Sequence, residues 1–191
     1  MGGSERRRWA EARWLPQVKV MRDIGVRHDA GPVDISVIDR FERSMGIVFP
    51  RSYKELIAAH NNLYPEKSEF DFVGPWGVTE SRSVRFWGYG NVYERIDEGQ
   101  PCIIDPDDAE VRGVIAIGDD GGGDEICFDY RDCPGTDDPP VVFLYHDLWW
   151  PDEAGEWHRV IWPIAPSFDA FLEMLYERDY SFLDGGHEDE A

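Results

Sequence analysis

Two histidines lie near carboxylates at spacings that suit proton transfer or metal binding. His146-Asp147 ends an apolar run, Val141 to Tyr145, and His158 follows twelve residues on, beyond Glu153 and Glu156. A His with two carboxylates can ligate zinc, and a His–Asp pair can move a proton near neutral pH. The plainer use is structural, with His146 closing a strand and His158 in a charged loop. His60 falls at the end of a helical pattern, where its charge would suit the helix dipole. No G-x-S-x-G, H-E-x-x-H or Cys/His nucleophile pattern occurs. The reading is a non-enzyme with no metal and no cofactor; a metal-dependent hydrolase is the lesser alternative.

The second chemical candidate is a Gly/Asp loop between apolar stretches, running from Val114 to Asp129. A phosphate loop would need G-x-x-x-x-G-K-[ST], but Lys is missing and four acids would repel phosphate. Calcium loops alternate their acids, with Gly sixth and Glu twelfth, and this spacing does not match. A hairpin turn accounts for the residues, since Gly and Asp supply positive φ and side-chain turn bonds. Asp119, Asp120, Asp124 and Glu125 then make an acidic tip.

The third candidate is a surface for a protein partner. Asp147 to Trp157 reads as a loop carrying Trp149, Trp150 and Trp157 among Asp147, Asp152, Glu153 and Glu156. Trp is a preferred interface anchor, and surrounding acids suit a basic partner. The competing use of the three indoles is to fold back onto the core. The partner-binding set is therefore these seven residues together with Asp119, Asp120, Asp124 and Glu125.

Charge narrows the partner further. The chain has 191 residues, 19 Lys/Arg against 39 Asp/Glu, and a formal net charge of −20. That field repels nucleic acid and anionic membrane surfaces, and attracts basic proteins. No apolar run is long enough to span a bilayer. Arg6, Arg7 and Arg8 lead into a mixed stretch and not into a signal-peptide apolar core. Cys102, Cys127 and Cys133 are odd in number and lack a CxxC pair, which reads as reduced thiols in a cytoplasmic protein. The excess of Arg over Lys hints at a GC-rich bacterial genome. A monomer or weak dimer is expected.

The elements that must carry these groups follow from periodicity. Ile35, Ile38, Phe41 and Met45 form a helical stripe, opposite Asp39, Arg40, Glu42 and Arg43, and Gly46 ends it. Pro50 opens a second helix, with Ser52 and Glu55 as a capping box and Tyr53, Leu56 and Ile57 inward; Asn61-Asn62 closes it. Short apolar stretches at 70–73, 84–87, 102–104, 114–117, 126–128 and 141–145 read as strands. Ser167 caps a last helix with Phe168, Phe171, Leu172 and Leu175 inward. Two helices, a run of strands and a closing helix give an α+β fold with a mainly antiparallel, twisted sheet.

The charge divides the chain. Residues 1–32 form a basic N-terminal extension (Arg6, Arg7, Arg8, Arg13, Lys19, Arg22, Arg27), either docked through Trp9, Trp14 and Leu15 or partly mobile. Residues 33–180 form the domain. Residues 181–191 form an acidic tail, read as disordered.

Three of these elements together resemble the SUKH superfamily, in particular the subfamily named for a yeast cell-wall synthesis regulator. The apolar-Pro step into a Tyr-bearing helix is matched by Ile47, Phe49, Pro50, Tyr53, Leu56 and Ile57. The strand–Gly-Asp–Gly-Asp–strand element is matched by Gly118, Asp119, Gly123 and Asp124, and the closing Ser-Phe-x-x-Phe-Leu helix by Ser167, Phe168, Phe171 and Leu172. Asn62 stands where the family usually has Gly, so that part of the match is partial. The resemblance covers about residues 33 to 177. It implies an immunity protein that binds and blocks a cognate bacterial toxin domain, such as a basic nuclease-type one. The alternative it implies is an intracellular signalling scaffold.

Overall fold

In the computed structural model of the chain, residues 21–90 and 108–179 are described. Helix α1 spans Ile35–Met45: the Asp34 side chain accepts the Ser36 N–H, and Gly46 ends the helix in the left-handed region at φ 66°. Ile38 and Phe41 are buried, but Ile35 is exposed. Glu42, expected on the outer face, is buried instead. Its carboxylate accepts the Phe49 N–H at 2.6 Å and pairs with the Lys54 ammonium at 2.7 Å. A charge faces inward here because both its oxygens find donors there.

Helix α2 spans Arg51–Ala59, with Pro50 as its N-cap and Tyr53, Leu56 and Ile57 buried. The expected capping box does not form. Pro50 remains extended (ψ 138°), so the helix starts one residue late and Ser52 lies inside its first turn. Glu55 pairs with Arg51 at 2.7 Å instead. Asn62 takes the left-handed conformation at φ 53°, a region Asn tolerates better than most residues.

Seven strands follow: β1 (Glu69–Val73), β2 (Thr79–Ser83), β3 (Arg85–Phe86), β4 (Val114–Asp119), β5 (Glu125–Asp129), β6 (Val141–Pro151) and β7 (Trp157–Ala165). β1 and β2 form a two-stranded antiparallel sheet; the others form a five-stranded sheet in the order β3-β4-β5-β6-β7, each pair antiparallel. α3 (Phe168–Met174) closes the fold, with the Ser167 hydroxyl accepting the Ala170 N–H. The fold is α+β, as expected.

Two strands were not visible in the sequence pattern. β2 reads Thr-Glu-Ser-Arg-Ser and has no apolar alternation. β7 contains Pro163, which a central strand excludes but an edge strand accepts, and β7 lies at the sheet edge. The segment Asp147 to Trp157, expected as a loop, is the far half of the β6–β7 hairpin. The expected strand at 102–104, residues 1–20 and the tail 181–191 lie outside the described residues.

The core is rich in aromatic side chains. Phe49, Tyr53, Phe128 and Phe168 pack edge to face or tilted, and Phe70, Phe72, Phe143 and Phe171 continue the cluster. Within the expected extension, residues 24–31 run along the exit of α2. Ile24 is buried in the core, and backbone bonds join Arg27 and His28 to Tyr64 and Ala30 and Gly31 to Asn61.

Candidate partner-binding site

The β4–β5 turn carries the first acidic group, and its four acids have different environments. Asp119 is only 5% exposed. Arg85 Nε donates to both its oxygens, at 2.9 and 2.8 Å, and the Trp87 indole N–H and Gly121 N–H donate as well. Asp119 in turn raises the Arg85 pKa further above its already high value. Asp124 is also buried: its Oδ1 accepts the His146 N–H at 3.0 Å and pairs with His146 Nδ1 at 2.7 Å. Asp120 holds the turn by accepting the Gly122 N–H at 2.7 Å. Glu125 is half-buried, opposite Leu144. Asp119 and Asp124 thus tie the turn to β3 and β6, and neither faces solvent.

Gly118 serves packing and not turning. A Cβ there would meet the Arg85 carbonyl oxygen at 2.2 Å, so β3 can lie against β4 only because the position has no side chain.

The second group lies on the β6–β7 hairpin. Leu144 pairs with Ile161 and Trp149 with Arg159, so four residues of β6 face a single residue of β7 in a bulge. The bulge holds His146, whose Nε2 also pairs with Asp147 Oδ2 at 2.8 Å. The hydrogen bond to Asp124 is the main cause of the raised His146 pKa. At the tip, Asp152 Oδ1 accepts the Ala154 and Glu156 N–H groups at 2.8 and 2.9 Å, and Gly155 adopts φ 83°. Asp147, Glu153 and Glu156 are exposed.

The pleat separates the tryptophans. Trp149 faces Arg159 and Pro151 faces Trp157 across the hairpin, which puts both indoles on one side and Trp150 on the other. The Arg159 guanidinium lies 4.6 Å from the Trp149 ring centroid and is held by Asp108 at 2.7 Å. Trp150 meets Trp76, from the β1–β2 turn, with centroids 6.4 Å apart and planes at 26°. All four indoles are exposed, Trp157 most at 64%.

Glu110 organises the edge of this hairpin. Its Oε2 accepts the Arg159 N–H at 2.8 Å and its Oε1 pairs with His158 Nδ1 at 2.6 Å, while His158 Nε2 faces Asp152 at 3.3 Å. The Arg159 N–H bond comes first in holding the Glu110 carboxyl below its ordinary value; the Glu110 bond comes first in raising His158. Asp152, Glu156 and His158 offer ligand atoms within 4.8 Å of one another. A metal there would have to displace a proton that the raised imidazole pKa favours.

Sequence reasoning missed Trp76 and Glu110. Trp76 had a signal: a lone indole in a Gly-Pro-Trp-Gly turn has no strand or helix face to serve. Glu110 had none, because its partners are 48 and 49 residues away.

The comparisons with known proteins add the family. A sequence profile of the SMI1 / KNR4 family (SUKH-1) matches residues 32–174, and the chain belongs to that family. No curated protein and no solved structure matches the chain. Among the described residues, no helix is long and apolar enough to cross a membrane.

Proposed function

We propose that this chain is a non-catalytic, cytoplasmic immunity protein that binds the catalytic domain of a cognate bacterial toxin and blocks it. The observation that carries the reading is the β6–β7 hairpin: exposed indoles beside exposed acids on a family domain within a chain of net charge −20. Toxin domains that act on nucleic acid need basic surfaces for phosphate contact, and an acidic inhibitor is their electrostatic complement. Steering of that kind raises association rates by about one to three orders of magnitude.

The absence of intrinsic chemistry is part of the proposal. His60 pairs with Asp29, His146 with Asp124 and Asp147, and His158 with Glu110 and Asp152. These imidazoles are engaged as structural partners of carboxylates. Cys127 is buried and burial raises the Cys133 thiol pKa, which disfavours nucleophilic thiolate.

The reading expects a toxin gene beside this one, and the test is co-expression with the toxic domain that such a gene encodes. Restored growth and a co-purifying complex are expected. Growth arrest that persists without any complex would overturn the reading in favour of a scaffold.

A further inference from the structure

The geometry points to a toxin-facing surface built from two hairpin tips, in which Trp76 and Trp150 form the apolar anchor for a basic protein surface. The inference rests on the toxin-binding reading above and specifies which residues make the contact. Trp76 and Trp150 are 56% and 45% exposed, and Val73 and Val78, on either side of the β1–β2 turn, are exposed as well. Three of these side chains come from the β1–β2 hairpin and the fourth, Trp150, from the β6–β7 hairpin, far along the sequence.

The two indoles are not loosely held. An unbroken series of ring contacts leads to them from the core: Phe70 to Phe72 at 5.8 Å, Phe72 to Phe143 at 5.3 Å, Phe143 to Tyr145 at 4.9 Å, Tyr145 to Trp76 at 6.2 Å. Tyr145 is fixed at its far end by Glu80, at 2.9 Å, and Glu80 also pairs with Arg82. The β1–β2 sheet is tied to β7 by the Trp162 indole N–H, which donates to the Val73 carbonyl at 2.7 Å. Aromatic groups pre-positioned in this way lose little conformational freedom on binding, which is the usual property of an interface anchor.

Charge selects the occupant. A second copy of this chain would bring another −20 to the interface, and nucleic acid would bring phosphates. Lys and Arg side chains, by contrast, can lie on exposed indole faces while their charge meets nearby acids. The hairpin already satisfies one of its indoles in this manner, with Arg159 over Trp149. Trp76 and Trp150 carry no such internal cation among the described contacts, and Asp147, Glu153 and Glu156 stand exposed on the same hairpin.

The experiment measures binding of the neighbouring toxin domain to immobilised full-length protein by surface plasmon resonance. Trp76→Ala and Trp150→Ala are each expected to raise the off-rate at least about tenfold, with the double variant falling short of the product because the rings form one anchor. Trp149→Ala, on the opposite side of the hairpin, is expected to change it less than about threefold. Trp76→Phe and Trp150→Phe keep the ring contacts and serve if an alanine variant melts early. Wild-type binding with silent Trp76 and Trp150 variants would overturn the inference and leave the toxin-binding reading standing. Failure of the wild type to bind would overturn both.

Discussion

Arg85 and Asp119 are direct cross-strand partners on β3 and β4, and their side chains close the same pairing with a bidentate ion pair. β3 is only two residues long. The side-chain pair therefore supplements the few backbone bonds that hold this edge of the sheet. Asp119 also receives the Trp87 indole N–H and the Gly121 N–H, so one carboxylate joins the edge strand, the following segment and the turn.

Removing that carboxylate leaves its donors without an acceptor. Asp119→Ala is expected to cost about 3 kcal/mol, the order seen when one partner of a buried pair is deleted. Asp137→Ala, at an exposed turn position, should cost less than about 0.5 kcal/mol. Urea denaturation of the two variants provides the comparison. Equal midpoints would mean that Asp119 is a surface acid after all.

Gly118 gives a second stability prediction with a different cause. Gly118→Ala forces a methyl group into the Arg85 carbonyl and should destabilise by about 2–3 kcal/mol or more, the overpacking range. Gly121→Ala meets no neighbouring atom but must hold φ 79°, a cost of about 1–2 kcal/mol. Thermal melts that ranked Gly121→Ala as the worse variant would contradict the close approach of β3 to β4.

These two residues also show what a sequence can and cannot reveal. Helices α1, α2 and α3 and the cores of β4, β5 and β6 were legible because each shows a local apolar period or cap. Gly118 and Asp119 looked like turn residues, since nothing local says that a distant two-residue strand lies over them. Glu42 looked like a surface acid because its partners, Phe49 N–H and Lys54, become neighbours only when α1 meets α2. The Trp-rich segment was recognised by composition, but its hairpin geometry depends on β7, whose Pro163 hid it. Trp76 joins it only through tertiary contact.

The hairpin tip should respond to pH in a defined window. His158 is raised above its ordinary 6.5, so its pairing is fully present below pH 6.5 and is lost as pH rises through the raised value. Glu110 and Asp152 are lowered from 4.5 and 3.8, so their share is present above those values and is lost as pH falls through the lowered ones. The ion cluster is therefore tightest between pH 4.5 and 6.5. An NMR titration should show the His158 imidazole pKa falling in Glu110→Gln, since its largest supporting interaction is removed. An unchanged titration would show that Glu110 does not hold His158 in solution.

The last prediction separates steering by the hairpin from the effect of net charge. Asp152 caps the tip through two backbone N–H groups, so reversing it would damage the turn as well as the charge. Glu153 and Glu156 are exposed and lack that task, which makes Glu153→Lys with Glu156→Lys the cleaner change. Asp137→Lys with Asp138→Lys alters net charge by the same amount at another exposed turn. If the toxin approaches the hairpin, the first pair should slow association by about tenfold at low salt, and added salt should erase most of the difference. The second pair should slow it less, since its charges lie on a different turn and act only through the overall field. Off-rates should change little in either, because rim charges act mainly on encounter. Equal slowing by both pairs would mean that the toxin responds to the overall field and docks elsewhere. Asp120, half-buried beside the exposed glycines of the β4–β5 turn, would then be the next acid to reverse.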